Sequence, residues 1–329
     1  MSQADLPQIE VASLSDIGRQ RSANQDRCDE LTNSHGWRLL VVADGMGGHQ
    51  GGETASRIAV EAIQEVFERD NPSPPELLRE AFEIANRRIY EAASQNPELE
   101  GMGTTAVALL LDGTEAAWLA HVGDSRAYRL RDQILEPLTK DHSVVTRLVE
   151  EQGMTREEAQ QSPNSHVLLR AVGVELEVEV DVKPVSLAPG DRFLLCSDGL
   201  WGEVPDAEIA ATLRHHSPAD AVRIFVAEAN NRGGPDNVTV QVAALPEAPE
   251  IAMGAPEKEA TSALNVPAPQ ANRRLIRTSV VAAIITVLLI VSLLWLLLDA
   301  QRSQSPTAPA AIGQTGPHPE TPAESDTQP

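Results

Sequence analysis

Cysteine is almost missing from this chain. Its 329 residues include two, Cys28 and Cys196. That is too few for the disulfide framework of a small secreted scaffold, so a reducing compartment is expected for the main domain. Bases are also scarce: 26 Lys and Arg face 48 Asp and Glu, a formal net charge of -22. Nucleic acid is thereby excluded as a main partner, because a phosphate backbone needs clustered cations. Eight histidines are scattered apart from His215-His216, and no Cys/His cluster has the spacing of a zinc site. The N-terminus, MSQADLPQIEV, lacks a basic stretch followed by an apolar core, so no signal peptide is expected there.

What is present divides the chain into four parts. VVAAIITVLLIVSLLWLLL, Val280 to Leu298, carries no charge. At 1.5 Å per residue it reaches roughly 30 Å, the thickness of a bilayer core, which predicts a transmembrane helix over 278–298. Arg273, Arg274 and Arg277 precede it, against one Arg302 beyond. The positive-inside rule then puts the N-terminal side in the cytoplasm and the tail outside. Residues 246–277, rich in Pro, Ala and Glu before a basic juxtamembrane end, read as a linker. Residues 299–329, rich in Pro, Thr, Gln and Ala, read as a disordered tail, since neither segment can bury enough apolar surface to fold.

Residues 8–245 read as one globular domain. Strand-like runs are IEVASLSD, WRLLVVAD, TTAVALLLD, AAWLAHVGD, RAYRLR, VEVDVKPVSL, RFLLCSD and NVTVQVAAL. Helical spacing of apolar residues appears in Ser56 to Glu68 and in Pro75 to Ala93. Two helices after two strands, then strands in succession, do not alternate as a doubly wound fold does. They predict an α+β domain with sheets packed together and helices outside.

Two apolar runs stop at Asp-Gly: LLVVADG at Asp44-Gly45 and FLLCSDG at Asp198-Gly199. Asp-Gly is a common turn signal. A hairpin tip, however, has alternating flanks, whereas LLVVA and FLLC are continuous, as in strands buried on both faces. A carboxylate at the mouth of such a strand is poorly solvated and wants a cation. Asp124, after Gly123, and Asp236, before the last strand, extend the set. Carboxylates with backbone carbonyls suit hard ions such as Mg²⁺ or Mn²⁺. In SDIGRQRSANQDR, Arg21 could capture a phosphate, an arginine geometry.

Arg21, Asn24-Gln25-Asp26, Asp44-Gly45-Met46-Gly47-Gly48, Gly103-Thr104-Thr105, Gly123-Asp124-Ser125-Arg126, Ser197-Asp198-Gly199 and Asp236-Asn237 occur in this order. With them, the domain resembles the metal-dependent type 2C serine/threonine protein phosphatases, in their bacterial membrane-anchored form. The resemblance implies a four-layer α-β-β-α sandwich of two antiparallel sheets flanked by helices, with two core Mn²⁺ or Mg²⁺ ions at one end. Asp44 would bridge both ions and the Gly45 carbonyl would bind one. Asp198 and Asp236 would bind the other, and Asp124 with Asp198 would hold a looser third. Asp26 and Gln25 would hold metal-bound waters in the outer shell, Arg21 the substrate phosphate, and Asn237 would orient its neighbours. The implied reaction is hydrolysis of phosphoserine and phosphothreonine in proteins by a metal-activated water, reversing kinase signalling without a phosphoenzyme.

The chain departs from that pattern at two places. Met46 stands where eukaryotic members carry a histidine proposed as general acid, and Gln25 stands where many relatives have Glu. Thr139 to Gly173 looks like the family's flap, polar and expected to be mobile, governing which substrates reach the metals. A cysteine phosphatase would need Arg six positions after Cys, where Ser34 and Gly202 stand, and an aspartyl-phosphate enzyme would show Asp-x-Asp, which does not occur. The rival reading is a pseudophosphatase, a membrane-tethered module that binds phosphoproteins without turnover; the presence of Asp44, Asp198 and Asp236 argues against it. A single-pass protein of a bacterial inner membrane is expected, monomeric, with its catalytic domain cytoplasmic. A membrane serine/threonine kinase is its natural counterpart.

Overall fold

The computed structural model describes residues 9–247 apart from 49, 70–72 and 114–115. The strands are β1 (Glu10–Asp16), β2 (Asp26–Thr32), β3 (Arg38–Met46), β4 (Gly103–Thr104), β5 (Ala106–Leu111), β6 (Ala116–Val122), β7 (Arg126–Arg131), β8 (Ile134–Pro137), β9 (Asp181–Ser186), β10 (Arg192–Cys196) and β11 (Val238–Ala244). One sheet has the order β1-β11-β10-β7-β8 and the other β2-β3-β5-β6-β9, with β4 alongside β3. Every strand pair is antiparallel. The helices are α1 (Gly51–Phe67), α2 (Pro74–Gln95), α3 (Val144–Gln152), α4 (Arg156–Gln160), α5 (Asp198–Trp201), α6 (Asp206–His215) and α7 (Pro218–Asn231).

The continuous apolar run of β3 is explained by layering. Leu39, Val41 and Ala43 pack with Ala55, Ala59, Ile63 and Phe67 of α1 and with Leu78 and Phe82 of α2. Leu40 and Val42 point the other way and meet Phe193, Leu195 and Ala243 of the opposite sheet. That sheet's outer face, with Leu194, Cys196, Val240 and Val242, is covered by Leu213, Phe225 and Val226 of α6 and α7. A strand buried on both faces has no polar parity, so alternation vanishes from its sequence. Helices thus cover both outer faces of the packed sheets, the four-layer α-β-β-α arrangement.

Several boundaries differ from the sequence reading. β2 and β8 are strands the apolar pattern missed, because DRCDELT and ILEP are polar or short. TTAVALLLD is split into β4 and β5, and VEVDVKPVSL contributes only Asp181–Ser186. The first Asp-Gly does not end its strand. β3 continues through Gly45 and Met46, which pair with Thr104 and Gly103. The second begins a helix, with Asp198 in the first turn of α5. The flap segment contains α3 and α4, each capped by a hydroxyl: Ser143 accepts from Thr146 N–H, and Thr155 forms a capping box with Glu158. The predicted transmembrane helix at 278–298, and the linker and tail beyond residue 247, lie outside the described residues. No helix among the described residues is long and apolar enough to cross a membrane.

Candidate active site

The rows of side chains facing the inter-sheet core turn polar at one end. Leu40 and Val42 lead to Asp44, and Val107 leads to Thr105. Ala127 leads to Ser125, Leu195 to Ser197, and Ala243 through Gln241 and Thr239 to Asn237. Successive inward positions are two residues apart, so these groups converge at the same end of the sandwich. Asp26, first residue of β2, stands directly opposite Asp44 on β3. Two loops bring Asp124 and Asp236 to the same place, and the first turn of α5 brings Asp198. Asp44, Asp124, Asp198 and Asp236 line one cleft of about 580 Å³ with Arg21, Gln25, Gly45, Met46, His166 and Leu168 among its other walls. The last two belong to the flap segment, which therefore borders the cleft as expected.

Hydrogen bonds fix the backbone beneath the carboxylates. Thr105 N–H and Thr104 Oγ1 both donate to the Asp44 carbonyl at 2.8 Å, and Asp44 N–H donates to Thr105 Oγ1 at 3.1 Å. Ser197 Oγ donates to Asp26 Oδ2 at 2.7 Å and accepts from Thr239 N–H at 3.0 Å. Buried Asn237 ties down the N-terminal loop: its Oδ1 accepts from Gln25 N–H, and its Nδ2 donates to the carbonyls of Ile17 and Ala23. Gln25 Nε2 donates to the Gly48 carbonyl at 3.0 Å, a bond that a carboxylate there could not make. Gly45 and Gly199 have ordinary negative φ, so neither serves a left-handed turn. A Cβ on Gly45 would lie 2.0 Å from the Gly52 carbonyl oxygen, and one on Gly199 would lie 2.0 Å from that of Asn237. Both glycines are there for backbone-on-backbone contact.

The carboxyls crowd one another. Burial, then the charges of Asp26, Asp198, Asp124 and Asp236, hold Asp44 well above the usual carboxylate range. Burial pushes Asp26 up to about 7, partly offset by the Ser197 and Thr239 hydroxyls. Asp124 is raised to about 7 by burial and the charges of Asp198 and Asp141. Asp198 is raised to about 6 by burial and Asp236. Oδ1 of Asp26 and Oδ1 of Asp198 are buried with no hydrogen-bond partner. Acceptor atoms buried without a donor, in a group of like charges, fit a divalent cation with oxygen preference. Arg21 Nη2 lies 2.5 Å from Asp236 Oδ2, a pairing the sequence reading did not anticipate.

The residues read from the sequence are therefore brought together, with Asp26 and Asn237 behind the cleft wall rather than in it. Missing from that reading were the roles of Ser197, Thr105, Thr239 and Trp201, whose indole Nε1 donates to the Asp124 carbonyl at 3.0 Å. Extending the inward parity of each strand by one residue would have found the first three.

The sandwich and its carboxylate cleft define the class: a hydrolase built around hard divalent cations. The protein phosphatase 2C family model matches residues 18–237, and the chain belongs to that family. It is 37% identical over 231 residues to the serine/threonine phosphatase stp of Listeria monocytogenes, covering 68% of this chain and 91% of that one. The crystal structure of the Mycobacterium tuberculosis serine/threonine phosphatase PstP/Ppp is similar at TM-score 0.66 and 38% identity, over 73% of this chain and 99% of that one. A structure of the PstP catalytic domain in complex with two manganese ions matches at TM-score 0.65 and 37% identity, with the same coverage.

Proposed function

We propose that this chain hydrolyses phosphoserine and phosphothreonine in proteins, using a binuclear Mn²⁺ or Mg²⁺ site, and that it is held at a membrane by residues 278–298. The observation that carries the chemistry is the meeting of Asp44, Asp124, Asp198 and Asp236 in one cleft with Arg21 at its rim. Asp44, the Gly45 carbonyl, Asp198 and Asp236 would hold two ions, and Asp124 a looser third. Bound there, the ions would lower the pKa of water and neutralise charge on phosphoryl oxygens. Arg21, once free of Asp236, binds the substrate phosphate through its forked N–H donors. Asp26 and Gln25 orient water at the inner wall, and Asn237 keeps the Arg21–Gln25 loop in register with β11. Met46 offers no proton, so no side chain at that position serves as general acid.

Release of phosphate from a phosphothreonine peptide by the purified full chain, with and without Mn²⁺, tests the enzyme. Metal-stimulated release that is lost in Asp198→Ala supports the reading; release that ignores Mn²⁺, or full activity in Asp198→Ala, overturns it. Membrane anchoring is supported by the uncharged run and its flanking arginines. A reporter inserted after residue 247, with residues 248–329 retained behind it, should be cytoplasmic and membrane-bound, and a soluble protein or protease access to the reporter from outside would refute the topology. A membrane serine/threonine kinase is the counterpart proposed, since tethering concentrates both partners.

A further inference from the structure

A second group of titratable side chains lies outside the cleft. His121 near the end of β6, His142 just before α3 and Asp181 at the start of β9 place ligand-type atoms within 4.8 Å of one another. The two buried imidazoles stack with centroids 4.7 Å apart. By residue type the group would suit zinc, but its hydrogen bonds argue otherwise. Gly123 N–H donates to His142 Nδ1 at 3.2 Å. That nitrogen therefore carries the lone pair, and the neutral ring keeps its proton on Nε2. Nε2 faces Asp181 Oδ2 at 3.4 Å, an electrostatic contact that falls short of hydrogen-bond geometry, and a protonated nitrogen is no metal ligand. Arg170 Nη1, 2.9 Å from Asp181 Oδ1, further disfavours a cation. The Gly123 N–H sets the tautomer of the imidazole, and the Asp181 carboxylate favours its orientation electrostatically by facing the protonated nitrogen.

What the imidazole holds is Gly123. His142 N–H also donates to the Gly123 carbonyl at 2.9 Å, so His142 brackets that residue on both sides. Gly123 has φ +100°, and a Cβ there would meet Thr105 Cγ2 at 2.6 Å. The turn is tightly specified, and the next residue is Asp124. Trp201 holds the Asp124 carbonyl from the other side.

We propose that His142, oriented by Asp181, is a positioning residue for Asp124: its Nδ1 acceptor fixes Gly123 and so sets where the following carboxylate stands in the cleft. The inference rests on the proposed role of Asp124 as ligand of a loosely held ion.

The test uses the full chain in wild-type form and as Asp124→Ala, His142→Asn, His142→Leu, Asp181→Ala and the double variant His142→Leu with Asp124→Ala. Mn²⁺ binding is followed by titration calorimetry and, separately, kcat and KM are followed against Mn²⁺. Asparagine keeps an acceptor near the place of Nδ1; leucine fills the space without one. His142→Leu should weaken the weakest Mn²⁺ site by about 10–100-fold and lower kcat while KM holds. His142→Asn should stay close to wild type, and the double variant should be no worse than Asp124→Ala. Asp181→Ala, which leaves the imidazole in place, should show a smaller loss of the same kind and keeps the proposal testable if His142→Leu does not fold. Equal impairment by Asn and Leu, multiplying penalties in the double variant, or wild-type binding in Asp181→Ala overturns the proposal. So does a Mn²⁺ or Zn²⁺ site that disappears in the His142 and Asp181 variants but survives in Asp124→Ala. Wild-type Mn²⁺ binding in Asp124→Ala would instead remove the reading of Asp124 itself.

Discussion

Asp26 and Asp44 face each other directly across β2 and β3, the same register position on neighbouring antiparallel strands. Like charges so placed repel, and neither has an arginine or lysine among its hydrogen-bond partners. Both carboxyls are raised, with Asp124 and Asp198 beside them. In an unfolded chain these groups titrate near 4. A folded value above the unfolded one contributes stability that is complete below the unfolded pKa and is lost as pH rises through the folded pKa. In chelator, the melting temperature should therefore fall as pH rises above about 4, most steeply near 5 to 6, where the unfolded carboxyls are ionised and the folded ones still protonated, and more gently above about 7. Saturating Mn²⁺ should remove the fall. Calorimetry in EDTA and in Mn²⁺ checks this; a chelated protein that gains stability over that range would contradict it.

Neutralising one member of the group should separate stability from activity. Asp198→Asn is expected to raise the melting temperature in EDTA at pH 8, at about 2–4 °C per kcal/mol of repulsion relieved in a domain of this size. The same variant should lose Mn²⁺-dependent phosphate release. A variant less stable than wild type in chelator would mean that the Asp198 charge is satisfied without a cation.

Arg21→Ala removes a charge-assisted contact to the substrate phosphate, of order 1.5–3 kcal/mol. It should lower kcat/KM by about 10–150-fold. Because Arg21 competes for Asp236, Mn²⁺ binding should be unchanged or tighter. Calorimetric Mn²⁺ titration beside peptide kinetics decides it, and unchanged kinetics would remove the assigned role.

The glycines after the two aspartates should not tolerate a methyl group. Gly45→Ala and Gly199→Ala each drive a Cβ into a backbone oxygen 2.0 Å away. Overpacking costs about 1–3 kcal/mol even where side chains can yield, and here the obstacle is backbone. Urea denaturation should show at least that loss for each, and a change within about 0.5 kcal/mol would mean that these contacts relax freely.

Asn237→Leu preserves bulk but leaves Gln25 N–H and the carbonyls of Ile17 and Ala23 without their partner. A buried polar group left unsatisfied costs about 1–3 kcal/mol. The variant should lose at least about 2 kcal/mol in denaturation, and its KM should rise as the Arg21 loop loosens. Wild-type stability would show that water replaces the amide.

The carboxylates that line the cleft were legible because apolar strand runs and acidic residues meet abruptly in VVADG and LLCSDG. The layering was legible for the same reason, since only strands covered on both faces read as LLVVA. Edge elements were not. β2 is polar because it is an edge strand, paired with β3 alone, and β8 is four residues long. At the first Asp-Gly the apolar run stops but the strand does not, and at both pairs the glycine answers a distant backbone atom that no local pattern contains. Strand parity could have turned Ser197 and Thr105 inward, but their partners, Asp26 and the Asp44 backbone, are set by distant strands that no local pattern contains.

Among the described strands, β1 lies at a sheet edge and its one strand partner is the last strand, β11. During synthesis β1 must wait for β11, and at ~5–20 residues per second the intervening chain takes roughly 10–45 s to appear. Asp236 and Asn237 arrive in that same final stretch. A truncated or stalled product therefore lacks both the closing strand and one wall of the cleft. Activity becomes a certificate that the domain was made to its end, and incomplete chains cannot erase phosphorylation marks.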